Sequence, residues 1–454
     1  MLRVHDTAIG GLVDLQTREP GKVSMYVCGP TVYDVAHLGH GRHLLVFDVM
    51  RRYLEWSGYD VHYVSNVTDI EDKIIAKAKA AGTTAEEVVA TYEAQWWTLV
   101  ERLGCRRPDD VPHATDYVEQ MVAFIADLIE RDMAYVTDDG VSFSVEALEG
   151  YGLLARQSLD SMRAGGGDRA IVGEAGKRHP FDFALWKKAK EEGEPAWASP
   201  WHVGRPGWHI ECTVMALDLL GENFDLHGGG HDLAFPHHEN ERAQALGAGK
   251  GFARHWLHNG MVLAKGGEEM HRSANNFISL GDLLERHDPR AYRLLVLQSH
   301  YRGPMEVQDE NIDAAERALV GLDNFARRVG ALDEGIEPDA DVIIAFRTAM
   351  DEDFNSPPAL AGIFDAMRRA NVALDRGKRE QAESLAAAVL ELVTMLGLPP
   401  RQSDVVDAAS SALATDRDAA RAAKDWARAD AIRAELESQG WTVQDGPTGT
   451  QLAR

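Results

Sequence analysis

The order of elements in the first 70 residues constrains this chain more than any other feature. "VSMYVC" (Val23–Cys28) is an apolar run closed by Gly29-Pro30. "LLVFDVMRRYLEW" then carries apolar residues at helical spacing and stops at Gly58, and "DVHYVSNVT" (Asp60–Thr68) follows as a strand. Strand, helix, strand in succession is a βαβ unit and implies a parallel sheet. The strand-to-helix join holds "AHLGHG", placing His37, Gly39 and His40 at or near a helix N-terminus. Free backbone N–H groups and the helix dipole favour an anion such as phosphate there.

At 454 residues the chain has room for two to four domains. A net charge of −25 argues against nucleic-acid binding through overall charge, though not against a local basic surface for one RNA. No run is apolar for the length of a membrane span, and the first residues lack a signal-peptide core. Three cysteines do not make a disulfide framework, so a reducing cytoplasm is expected.

"TTAEEVVATYEAQWWTLVERLG" opens with a capping-box pattern, Thr83 to Glu86. A helix over about 116–131 leads to "AYVTDDGVSFSV", a hairpin with Asp139-Gly140 in its turn. Residues 160–207, rich in Gly, Pro, Lys and Trp, read as a looped insertion. Past "RLLVL" the strands end, about 311–396 read as a helical bundle, and a linker leads to a small terminal unit, 412–454.

Eleven of the eighteen histidines fall between His202 and His300, most densely in "FDLHGGGHDLAFPHHENERAQ". The glycines of "HGGG" would let a ligand approach the backbone closely. His237 and Glu241 share a face if their segment is helical. With Cys28 and Cys212 they form a donor set suited to zinc, although singly each has an ordinary reading as a core or capping residue.

"MYVCGPTVYDVAHLGHGRHLLVFDVMRRYL", "NVTDIEDKI", "RPGWHIECTVMA", "FDLHGGGHDLAFPHHENERAQA" and "AKDWARADAIRAELESQGW" together resemble the cysteinyl-tRNA synthetase family of class I aminoacyl-tRNA synthetases. The resemblance runs in order along the whole chain. It implies an α/β fold: a Rossmann-type catalytic domain with an insertion, then a helical bundle and a small anticodon-binding domain. The expected division is 1–110 and 206–280 for the two catalytic halves, 111–205 for the insertion, 281–398 for the bundle and 399–454 for linker and terminal unit.

The resemblance also implies chemistry. His37 and His40 would stabilise charge as cysteine attacks the α-phosphate of ATP, a substrate with Mg²⁺, while Gly39, Gly230 and Asp232 would lie along the nucleotide. Cys28, Cys212, His237 and Glu241 would hold one zinc ion per chain, which selects cysteine over serine by taking its thiolate. Cys28, Thr68 and Trp208 would line the amino-acid pocket. Trp426 and Asp430 would stack on and read a base of tRNA(Cys). A cytoplasmic monomer with no membrane partner is expected.

One motif departs from the pattern. Where the family carries a mobile KMSKS loop, this chain reads "EMHRS", with Glu269 at the first lysine and Arg272 at the second. Met270 and Ser273 are kept, and Lys265 stands four residues upstream of Glu269. Arg272 keeps the charge that would stabilise the leaving pyrophosphate, with a different geometry from lysine. The alternative readings are a paralogue that passes cysteine to another acceptor, as in amino-sugar thiol biosynthesis, and a non-catalytic regulatory relative. Cys105 matches none of these motifs and reads as structural.

Overall fold

The computed structural model describes residues 1–159, 161, 176–190, 194–263, 266, 278–401, 408–446 and 449–453. The chain divides into two compact units, the first comprising 1–316, 340–364 and 395–398, the second 317–339, 365–394 and 399–454.

The first unit opens on a hairpin of β1 (Arg3–Asp6) and β2 (Gly11–Asp14), and β1 also meets the chain near Glu352. There Arg3 donates its backbone N–H to Asp351, accepts one from Asp353 and pairs its guanidinium with Glu352. The central sheet contains β3 (Lys22–Val27), β4 (Asp60–Ser65), β9 (Leu226–Gly230) and β10 (His255–Asn259) in the spatial order β10-β9-β3-β4, all parallel. Every residue of β10 and nearly every residue of β3 and β9 is buried, as in a parallel sheet covered on both faces. The βαβ reading of the N-terminus therefore holds, with α1 (Leu38–Trp56) as its crossover.

Between β4 and β9 the chain forms α2 (Asp72–Ala81), α3 (Ala85–Arg102), α4 (Val118–Glu130) and a second, antiparallel sheet. Its strands β5 (Ala134–Thr137), β6 (Gly140–Phe143), β7 (Phe183–Lys188) and β8 (Gly204–Pro206) pair in sequence order. Strands therefore stand at 183–188 and 204–206 where a looped insertion over 160–207 was expected; residues 160, 162–175 and 191–193 of that span lie outside the described residues. β8 has only three residues and a proline, a composition that reads as loop until its partner β7 is present. The reciprocal cap of α3 is Thr84 with Glu87, one residue later than expected. In the hairpin, Gly140 pairs with Thr137, so Asp138 and Asp139 occupy the turn.

Helices α5 (Trp208–Leu220) and α6 (Glu239–Gly247) flank β9 in the chain. Ile125, Leu128, Phe143, Leu185, Met215 and Phe224 belong to one continuous core in this unit. Past β11 (Val262–Leu263) come α7 (Leu280–Arg286), α8 (Pro289–Leu297) and β12 (Met305–Glu306), which pairs with β11, so strands continue slightly further than expected. Arg42 on α1 is fully buried and donates to the carbonyls of Met261, His300 and Tyr301, tying these segments to the helix.

From α9 (Asp309–Val329) onward the chain is mainly helical: α10 (Ala340–Met350), α11 (Ser356–Asp375) and α12 (Arg379–Met395). In the second unit, Arg328 donates to Asn371 and pairs with Asp375. Its last part combines α13 (Ala408–Ala422), α14 (Trp426–Ser438) and an unexpected hairpin, β13 (Thr442–Gly446) with β14 (Gly449–Ala453). Ile432, Leu436, Trp441, Val443 and Leu452 form a small core there.

Candidate active site and metal centre

β3 runs to β4 on one side and β9 to β10 on the other, so the strand order reverses between β3 and β9. In parallel α/β sheets the crevice outside the carboxyl ends of such strands is the usual ligand site. The chain places Cys28 just past β3 and Gly230 at the end of β9.

His37 is the N-cap of α1, and the two histidines form a reciprocal capping box. The Gly39 N–H donates to His37 Nδ1 (3.0 Å) and the His37 N–H to His40 Nδ1 (3.1 Å). The N–H groups of His40 and Gly41 are taken by the His37 carbonyl. The N–H groups of Gly39, His40 and Gly41 are thus bonded within the cap and first turn. Burial, with His37 and His43 nearby, pushes the His40 imidazole down to about 3, so it is neutral. A neutral ring that accepts at Nδ1 carries its proton at Nε2, which leaves Nε2–H as a donor. A Cβ at Gly39 would lie 2.7 Å from the His37 ring.

Two of the HGGG glycines lie against protein rings. A Cβ on Gly228 would meet Phe47 at 2.3 Å, and one on Gly229 would meet His238 at 2.6 Å. These two glycines make room for protein rings. Gly230 instead faces Asp232, whose carboxylate lies 2.4 Å from the position of a Cβ and is exposed.

Cys28, Cys212 on α5, His237 and Glu241 on α6 converge although three segments supply them, and all four are buried. The Cys28 and Cys212 sulfurs are 3.7 Å apart, Cys28 Sγ is 3.5 Å from Glu241 Oε1, and His237 Nε2 is 3.1 Å from that oxygen. Two sulfurs 2.3 Å from a tetrahedral ion stand about 3.8 Å apart, and a sulfur and an oxygen about 3.6 Å. The donor set and its spacing fit zinc. Burial pushes the Cys28 thiol well above its ordinary range, so a cation is what would make a thiolate there.

Residues the sequence did not single out surround this set. His209 Nδ1 lies 2.8 Å from His237 Nδ1, which leaves Nε2 for the Glu241 side. His227 Nε2 is 2.8 Å from Glu241 Oε2, and its Nδ1 donates to the Tyr26 carbonyl (3.1 Å). His238 bonds through Nδ1 to His258 Nε2 (2.8 Å). Cys28, His227, His238 and Glu241 make a second close group. This second group offers one sulfur instead of two, and His227 already has protein partners at both ring nitrogens, while His238 Nε2 has no hydrogen-bond partner among the described residues.

Thr68 donates to Glu211 Oε2 (3.1 Å) and accepts from Asn66 (3.2 Å), whose oxygen takes the Gly29 N–H (2.9 Å). Glu211 is fully buried and its Oε1 has no hydrogen-bond partner among the described residues. A carboxylate inside the apolar run "WHIECTVMA" was the signal for it, because such a group is buried only for a reason. The Trp208 ring stands 4.2 Å from that of His237. Trp426, at the start of α14, is 60% exposed, and Asp430 one turn on is exposed too. Cys105 is buried with Arg293 donating to its sulfur (3.5 Å). Lys265, Glu269, Met270, Arg272 and Ser273 lie outside the described residues.

Known proteins can now be set beside this geometry. The model for the class I (C) tRNA synthetase catalytic domain matches residues 14–317, and the DALR domain model matches 345–399. In fold, the chain is similar to Mycobacterium tuberculosis methionyl-tRNA synthetase in complex with methionyl-adenylate: TM-score 0.62 at 15% identity, over 83% of this chain and 90% of that one. In sequence it is 43% identical to the cysteine–tRNA ligase of Halorhodospira halophila and 44% identical to that of Thioalkalivibrio sulfidiphilus, over 100% of each chain. Within the class I tRNA synthetases, the chain belongs to the cysteine–tRNA ligase family.

Proposed function

We propose that this protein activates L-cysteine with ATP and transfers it to the 3′ end of tRNA(Cys), with cysteine selected through zinc. The convergence of two thiols, an imidazole and a carboxylate beside Trp208 carries this reading. Bound there, zinc would offer a soft position for the substrate thiolate, which separates sulfur from oxygen where pocket shape alone discriminates poorly.

The other steps fall to the chain's own side chains. Glu211, with one oxygen unpartnered next to Thr68, is the acceptor for the substrate's amino group. His37 and His40 turn their Nε2 sides to the ATP phosphates and stabilise the charge that develops on them. Gly39, Gly230, Asp232 and Met270 border the nucleotide, and Arg272 takes the charge on the leaving pyrophosphate. Trp426 and Asp430 offer an exposed ring and carboxylate for a tRNA base, an arrangement RNA readers use.

The division of labour follows the same reading: catalytic halves at 1–110 and 206–280, insertion at 111–205, bundle at 281–398 and RNA-binding terminal unit beyond. Cysteine-dependent ATP–pyrophosphate exchange, then charging of total tRNA and metal analysis of the washed protein, tests the proposal. Exchange, cysteine-specific charging and one zinc per chain are expected. Exchange without charging would point to a different acceptor, and a metal-free active protein would remove the zinc mechanism.

A further inference from the structure

The first turn of α1 is weak as a helix. Its sequence "LGHG" (Leu38–Gly41) holds two glycines, which are among the poorest helix formers. Neither has room for a side chain. A Cβ at Gly39 would lie 2.7 Å from the His37 ring, and one at Gly41 would lie 2.9 Å from both Leu280 and Tyr292. The capping box fixes His37 and His40 relative to this turn, but it does not fix the turn within the unit. That placement has to come from neighbouring elements.

It comes from α7 and α8. The Leu280 N–H donates to the Ala36 carbonyl (3.0 Å), and Ser279 pairs with His37 in an isolated antiparallel bridge. Tyr292, on α8, is buried, and its hydroxyl donates to the Leu38 carbonyl (2.6 Å). The Arg42 N–H faces the same phenolic oxygen. Leu38 and Arg42 are four residues apart, the spacing that closes a helical turn, so the phenol sits across that closure. The edge of its ring packs where a Gly41 side chain would be. Asp288 caps α8 and Pro289 opens it, which fixes the start of the helix that presents Tyr292.

We infer that Tyr292 is a positioning residue for the activation step: its hydroxyl holds the first turn of α1 where His37 and His40 can present Nε2 to the ATP phosphates. Tyr292 acts through the backbone of that turn and touches no substrate itself. Catalytic groups need placement within about 0.5 Å, and a displacement of about 1 Å can cost on the order of a hundredfold in rate. The inference rests on the ATP role proposed above for the two histidines.

Tyr292→Phe in the full chain keeps the ring against Gly41 and removes only the hydroxyl. Tyr53→Phe is the comparison. Tyr53 lies on the same helix, is equally buried and donates to Asp351 (2.7 Å), roughly 20 Å along the helix from His40. Cysteine-dependent ATP–pyrophosphate exchange, thermal unfolding and bound metal are measured for both, with His40→Gln as the reference. In Tyr292→Phe, kcat for exchange should fall about tenfold while KM for cysteine and bound metal stay at wild-type values. Tyr53→Phe should lose a similar amount of thermal stability and exchange at the wild-type rate. Wild-type exchange by Tyr292→Phe where His40→Gln is inactive overturns the positioning role alone. An equal loss of exchange in both tyrosine variants assigns the effect to stability and overturns it as well. Wild-type exchange by His40→Gln removes the ATP role of the histidines, and the role of Tyr292 with it.

Discussion

At the scale of single residues, the candidate metal centre shows how chemistry depends on what the fold brings together. Cys28 and Cys212 are 184 positions apart in the chain, yet their sulfurs stand 3.7 Å apart. Neither cysteine could be told from a core residue by its local sequence. Only the ordered match of long motifs singled them out. Glu211, His209 and His227 were not singled out: Glu211 left a signal as a carboxylate in an apolar run, but the roles of all three depend on partners that the fold brings together. Replacing Cys212 by Ser swaps a soft donor for a hard one and should lower both bound metal and cysteine affinity. Metal content and cysteine titration of that variant check this, and unchanged values for both would discard the assignment.

Elements were legible where periodicity was strong and local. The βαβ unit, α3 and the long helices beyond residue 309 follow from apolar spacing and caps. Strands β7 and β8 did not, because their pairing depends on segments far along the chain and β8 is only three residues long. In the HGGG stretch, Gly228 and Gly229 make room for Phe47 and His238, which no local pattern announces. Close backbone approach is most severe at Gly29, where a Cβ would lie 1.6 Å from the carbonyl oxygen of Asn66. Gly29→Ala must therefore push the end of β3 away from the segment after β4, at a cost of about 1–3 kcal/mol or more. It should also displace Cys28 and reduce bound metal. Gly362, exposed within α11 with open space around it, is the control. Its change to Ala should stabilise by up to about 1 kcal/mol. Urea unfolding of both variants distinguishes these effects.

For the molecule as a whole, the buried imidazoles set a dependence of stability on pH. Burial, with His227 and His231 nearby, pushes His258 down to about 3, while Thr7 and His238 hold its two ring nitrogens. In the unfolded chain a histidine titrates near 6.5. Between those values the unfolded state binds the extra proton, so stability declines as pH falls below about 6.5. The decline is about 1.4 kcal/mol per pH unit for such a histidine. His40 and His209, also pushed down to about 3, act in the same direction. Denaturation midpoints at pH 7.5 and 5.5 should therefore differ clearly, with a smaller difference in His258→Gln. A flat profile across this range would contradict the neutral state of these rings in the fold.

The pairing of β1 with the chain near Glu352 has a consequence in time. Arg3 is made almost first, and its partners Asp351, Glu352 and Asp353 about 350 residues later. At a synthesis rate of roughly 5–20 residues per second, that strand waits on the order of 20–70 s on the ribosome before its outer edge can be covered. The enzyme's N-terminus is thus among the last parts of the first unit to be secured, and a nascent chain stalled before residue 351 would present it uncovered.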